Sequence, residues 1–141
     1  MFQASAYDER DIFLYDDKNV TNLTENSGYR NEDPKWSPDG KSIVGLLYFT
    51  KWYSSENRHD EIIVYDNNTF RSAAFNSENY DCSDACPIDT VKMIYSSTIG
   101  GSYSLYYFDG NESVEIPGVN SDRNEPGADF LFYSENTVVR K

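Results

Sequence analysis

The chain has 141 residues, with 24 Asp and Glu against 12 Lys and Arg and a formal net charge of −12 at pH 7. That is one domain's worth of polypeptide, and the charge excludes a binder of phosphate backbones, which needs a clustered basic face. Phe, Leu, Ile and Val number 30, just above the roughly 20% level below which chains stay disordered. The 12 Tyr, 8 Phe and 2 Trp supply the rest of a core, at about 150–250 Å² per ring. No apolar run approaches the roughly 18–20 residues of a membrane helix, so membrane insertion is not expected. Residues 1–15 lack the basic start and apolar stretch of a secretory signal.

In chain order the apolar residues fall in short aromatic and β-branched runs, separated by Asp, Asn, Gly and Ser clusters, with no helical spacing. The runs are Phe2–Tyr7, Asp11–Asp16, Val20–Thr24, Lys41–Thr50, Glu61–Asp66 and Thr69–Phe75, followed by Val91–Ser96, Ser102–Asp109, Ser113–Ile116, Phe130–Ser134 and Thr137–Arg140. This pattern predicts an all-β barrel, sandwich or propeller. Three runs end in an aromatic followed by Asp: Tyr15-Asp16, Tyr65-Asp66 and Phe108-Asp109. Each is followed by a polar turn and another short strand, and each follows an apolar strand across a hairpin. A repeat of that size fits a four-stranded propeller blade.

Between the first two repeats stands Pro34-Lys35-Trp36-Ser37-Pro38-Asp39-Gly40-Lys41, then Ser42-Ile43. Asp39-Gly40 is a tight-turn signal, and Pro34 and Pro38 suit an extended lead-in and a turn. Trp36 reads as an inward anchor on a short strand. With Ile62–Asp66 and Leu23-Thr24 this segment resembles the TolB-type propeller repeat, which is related to WD repeats and occurs in propellers of prolyl-oligopeptidase-like peptidases. The resemblance is full in one unit and degraded in the others, where Asp84–Thr90 carries Cys86 in place of Trp. It implies four-stranded antiparallel blades with the Trp strand innermost and about three blades in this chain, a partial propeller. The parts would be residues 2–24, 33–75, 84–117 and 124–140, with residues 51–60 an insertion.

Cys82 and Cys86 are the only cysteines. Their spacing and lack of a second pair argue against zinc or redox chemistry, and a local disulfide in an oxidising compartment is expected. Four N-x-S/T sequons, beginning at Asn19, Asn22, Asn67 and Asn111, also lean extracellular or periplasmic. His59 is the single histidine, and no G-x-S-x-G elbow accompanies it. The acidic stretches Asp8–Asp11 and Glu78–Asp84 could offer oxygens to Ca²⁺ without following a Ca²⁺-loop spacing, so no cofactor is expected. Trp52 and Tyr53, on the insertion, are a candidate partner-binding loop.

The expected function is that of a non-catalytic extracellular or periplasmic protein-binding or scaffold module. The alternatives are a structural subunit self-assembling through incomplete blades, and the gating propeller of a peptidase.

Overall fold

The computed structural model describes residues 2–6, 9–37, 46–52 and 59–119, and all regular structure among them is β. The strands are β1 (Phe2–Ala6), β2 (Glu9–Tyr15), β3 (Val20–Asn22), β4 (Arg30–Trp36), β5 (Leu47–Trp52), β6 (Glu61–Asp66), β7 (Thr69–Ser72), β8 (Cys82–Pro87), β9 (Met93–Ser97), β10 (Ser104–Phe108) and β11 (Ser113–Glu115). They form three antiparallel sheets in which, among the described residues, each strand pairs only with its neighbours in sequence: β1-β2-β3, β4-β5-β6-β7 and β8-β9-β10-β11. The runs at Phe130–Ser134 and Thr137–Arg140, and the segment 124–140, lie outside the described residues.

Local chemistry closes the hairpins. Asp16 Oδ1 accepts the amides of Lys18 and Asn19, and Asp109 Oδ1 accepts those of Asn111 and Glu112. These Asx turns give the aromatic–Asp repeat its mechanical meaning. The corresponding hairpin of the middle sheet instead uses Asn67 and Asn68, both at positive φ, where Asn tolerates the left-handed region that a tight hairpin requires.

The three sheets share one register. Leu23 donates its amide to the Ile12 carbonyl at 2.8 Å, Ala73 to Ile62 at 3.0 Å and Ile116 to Leu105 at 3.0 Å. These bonds place Ile12, Ile62 and Leu105 at one equivalent position, and Leu23, Ala73 and Ile116 at another. β4 and β8 also match, because each carries one extra residue between the register pairs Glu32–Thr50 and Lys35–Tyr48, or Ser83–Ser96 and Cys86–Ile94. Each of these segments holds an Asp in the left-handed region, Asp33 at φ 53° and Asp84 at φ 54°, the mark of a β-bulge. The Asp84 amide donates to the buried Thr50 hydroxyl at 3.1 Å, which ties the second bulge to the neighbouring sheet.

In the middle sheet β5 and β6 are buried on both faces, so β6 reads as a continuous apolar run rather than an alternating one. Ile62 and Val64 join Tyr48, Phe75, Cys82, Met93, Tyr95, Tyr106 and Phe108 in a core against the third sheet. Ile63 joins Ile12, Leu47 and Phe49 in a core against the first. A buried Glu32 carboxylate is paired with the guanidinium groups of Arg10 and Arg30, linking the first two sheets at their polar end.

Two expectations are corrected here. Trp36 is 39% exposed rather than buried. It sits at the end of β4 opposite Leu47, on the face turned towards the first sheet. Among the described residues that sheet has three strands, none of them the counterpart of β4. The disulfide is also absent: Cys82 and Cys86 are buried and not bridged to each other. The segment between them is strand β8. The bulge at Asp84 turns Cys82 towards Tyr95 and Met93 and places Cys86 opposite Ile94, on the other face, where no bridge of ordinary geometry can form.

Candidate functional site

The remaining sequence-derived residues scatter. Pro34 lies half-buried on β4 next to the first bulge, whereas Pro38, Asp39 and Gly40 lie outside the described residues. Trp52 is the last residue of β5, not part of a loop, and is half-buried with the Arg30 guanidinium 5.3 Å above its ring. Tyr53 lies outside the described residues. Asn19, Asn67 and Asn111 are exposed on the corresponding outer hairpins of the three sheets. Asn22 is half-buried and donates from its amide to Asp11 at 2.8 Å. His59 Nε2 is 3.3 Å from Glu61 Oε1. Among the described residues no group of three or more His, Cys, Asp or Glu could hold a metal ion.

What the structure does bring together is a cleft of about 350 Å³ between the first two sheets. Its floor is apolar: Phe49 of β5, Ile63 of β6, Phe70 of β7 and Leu23 after β3. Phe70 meets Phe49 edge-on at 6.2 Å and Tyr65 at 5.0 Å, and stays 47% exposed. The connection from β3 to β4 forms a polar wall of Thr24, Glu25, Ser27 and Tyr29. This wall is fixed from behind by the Asn31 side chain, itself 1% exposed. Its amide donates to Ser27 Oγ at 3.0 Å and to the Tyr29 and Arg10 carbonyls at 3.1 and 3.3 Å. Lys51 closes one end, with its ammonium 3.9 Å from the Tyr29 ring centroid. Burial pulls the Lys51 ammonium below its usual range, and the Glu61 carboxylate opposes that shift.

The shared register explains why this space is open. Counting two residues on from the equivalent pair Leu23 and Ala73 brings Glu25 into correspondence with Phe75. In the interface between the second and third sheets, Phe75 is buried, stacked on Tyr95 at 4.1 Å and edge-on to Phe108 at 5.1 Å. The counterpart of Tyr95 on β5 is Phe49, because Phe49 pairs with Ile63 as Tyr95 pairs with Tyr106. In the first interface the seat above Phe49 therefore has an exposed Glu25 at its edge instead of a ring. None of Glu25, Tyr29, Asn31, Phe49 or Lys51 stands out in the sequence. The signal that could have found the cleft is the substitution of Glu25 for an aromatic at one repeat position.

Chemically the cleft is a binding geometry, with an apolar floor, one ammonium and a few fixed hydrogen-bonding groups. Comparison of the chain with known protein families, curated proteins and solved structures finds no match.

Proposed function

We propose that the protein is a non-catalytic, extracellular or periplasmic binding or scaffold module built from propeller blades of the TolB kind. The observation that carries this reading is the common register of the three sheets, because a propeller repeats one four-stranded meander about an axis. On this reading β4 and β8 are innermost strands, and β1-β2-β3 is a blade without its innermost strand. The net charge of −12 favours basic or cation-bridged protein partners, with association that weakens as salt screens it.

A second reading is self-assembly. β1 pairs with β2 through an unbroken ladder from Phe2–Phe13 to Ala6–Glu9, and no other described strand pairs with it. An edge of that kind accepts a further strand. Light scattering with small-angle X-ray scattering at micromolar concentration tests both. A 16.2 kDa monomer with the profile of an open wedge of sheets supports a module that meets other partners. A discrete closed dimer or a filament favours self-assembly, and a compact sandwich profile from a monomer overturns the propeller reading.

A further inference from the structure

We propose that the cleft between the first two sheets is a binding site for a small aromatic carboxylate, whose ring takes the seat above Phe49 and whose acid group meets the Lys51 ammonium. This goes beyond the reading of the chain as a protein-binding module, and it holds whether or not the sheets belong to a propeller.

The ring is specified by the protein's own second interface. There the equivalent seat is filled from within by Phe75, stacked on Tyr95 and flanked by Tyr106 and Phe108. In the first interface the corresponding surfaces are Phe49, Ile63 and Tyr65, with Phe70 alongside. The receiving wall is thus built to the same plan, and the inserted group is what differs. An apolar cavity of about 150 Å³ already admits a benzene ring, so about 350 Å³ leaves room for a short substituent.

The acid is specified by the polar end. Lys51 stands where the third sheet has Ser97, and Asn31 where it has Cys82, since Asn31 pairs with Lys51 as Cys82 pairs with Ser97. A small hydroxyl and a thiol in the closed interface are replaced by an ammonium and a primary amide in the open one. Asn31 is held by three hydrogen bonds within the protein, so its part is to position the wall rather than to meet the ligand. Lys51 is held against Tyr29, which presets the ammonium at the cleft. Glu25 stands exposed on the wall, and Glu61, the register partner of Lys51, shares the ammonium with the acid group of the ligand.

The test uses the intact chain with phenylacetate as the acid and benzyl alcohol as its neutral counterpart, followed by NMR shifts of the Phe49, Ile63 and Phe70 side chains. Phenylacetate shifts these signals saturably in the millimolar range or below, and benzyl alcohol binds more weakly at the same signals. Lys51→Met raises the phenylacetate Kd about tenfold, the scale of one charge-assisted contact, and leaves benzyl alcohol nearly unchanged. Glu25→Phe supplies the missing ring from the protein itself, so it abolishes binding of both compounds while raising the thermal midpoint. That rise also establishes that the variant is folded. No saturable shift with either compound overturns the proposal. So does equal weakening of both compounds by Lys51→Met, or undiminished binding to a folded Glu25→Phe variant.

Discussion

Phe75 and Glu25 occupy equivalent positions in two interfaces of one repeat, so truncating each to alanine should have opposite weight. Phe75 is 8% exposed and lies in contact distance of two further rings, at 4.1 Å and 5.1 Å between centroids. Removing a buried phenylalanine costs about 3–5 kcal/mol through lost transfer free energy and the cavity left behind. The ring pairs with Tyr95 and Phe108, each worth about 0.5–1.5 kcal/mol beyond area, are part of that cost, which puts Phe75→Ala at about 4 kcal/mol. Against a total of about 5–15 kcal/mol for an ordinary domain, that is a large share. It lowers the thermal midpoint by roughly 12–15 °C for a chain of this length. Glu25→Ala removes an exposed side chain from a position that carries no ring, and stays within about 0.5 kcal/mol. Urea unfolding followed by far-UV circular dichroism and tyrosine fluorescence measures both, with an unchanged m-value as the condition for comparing midpoints. A loss below about 2 kcal/mol for Phe75→Ala, or equal losses at the two positions, refutes the equivalence of the interfaces.

Trp36→Ala costs about 1–2 kcal/mol rather than the 3–5 of a buried anchor, because 39% of the residue is already in water; a denaturation midpoint displaced by 3 kcal/mol or more contradicts this. Cys82 and Cys86 both alkylate in denaturant with and without prior reduction, while native Cys82 resists iodoacetamide at pH 8, since burial pushes its thiol up to about 12; intact mass reads the count. The Asp33 carboxyl titrates above the ordinary carboxylate range because of desolvation at the bulge, with the Asp84 and Glu32 charges adding to it, and its ¹³C titration moves down in Asp84→Asn. A raised carboxyl binds its proton more tightly in the folded state, so Asp33 disfavours folding once the pH exceeds its folded value. This penalty fades as the pH falls towards the unfolded value. Asp33→Asn, which keeps the left-handed bulge open to an Asx side chain, is accordingly more stable than the parent at pH 7, and the two midpoints converge near pH 4.

Nine strands lie at or within two residues of aromatic or β-branched runs that the sequence displays, because hairpin strands buried on one or both faces must carry those residues. β4 and β8 do not announce themselves this way. Arg30-Asn-Glu-Asp-Pro-Lys-Trp36 is polar apart from Pro34 and Trp36, and Cys82-Ser-Asp-Ala-Cys-Pro87 is made of small residues and broken by its bulge. Their place as strands came only through the motif around Trp36 and its degraded copy. The bulges themselves were illegible, since an Asp in the left-handed region looks like any other turn residue in a sequence. That single extra residue decided two expectations: it sent Cys82 and Cys86 to opposite faces, and it fixed the phase of Trp36. The cleft was hidden for a different reason. It is defined by a side chain that one repeat has and another lacks, and that comparison requires the register to one residue.

The unequal filling of the two interfaces also has a kinetic side. Because every ladder among the described residues joins strands adjacent in sequence, the loops closed within each sheet are short, and each sheet can form with little loss of loop entropy before the sheets dock. Docking then proceeds unevenly. Among the described residues the second and third sheets share a core of eleven buried residues, whereas the first and second share four. The first sheet is therefore the unit expected to detach at the lowest free energy. In native-state hydrogen exchange the amides of β2 and β3 should open as a group well below the global unfolding free energy, while those of β6, β9 and β10 exchange only when the whole molecule unfolds. The sheet that forms one side of the cleft is thus the one the protein releases most readily, so a molecule wedged against Phe49 would slow exchange in β2 and β3 first.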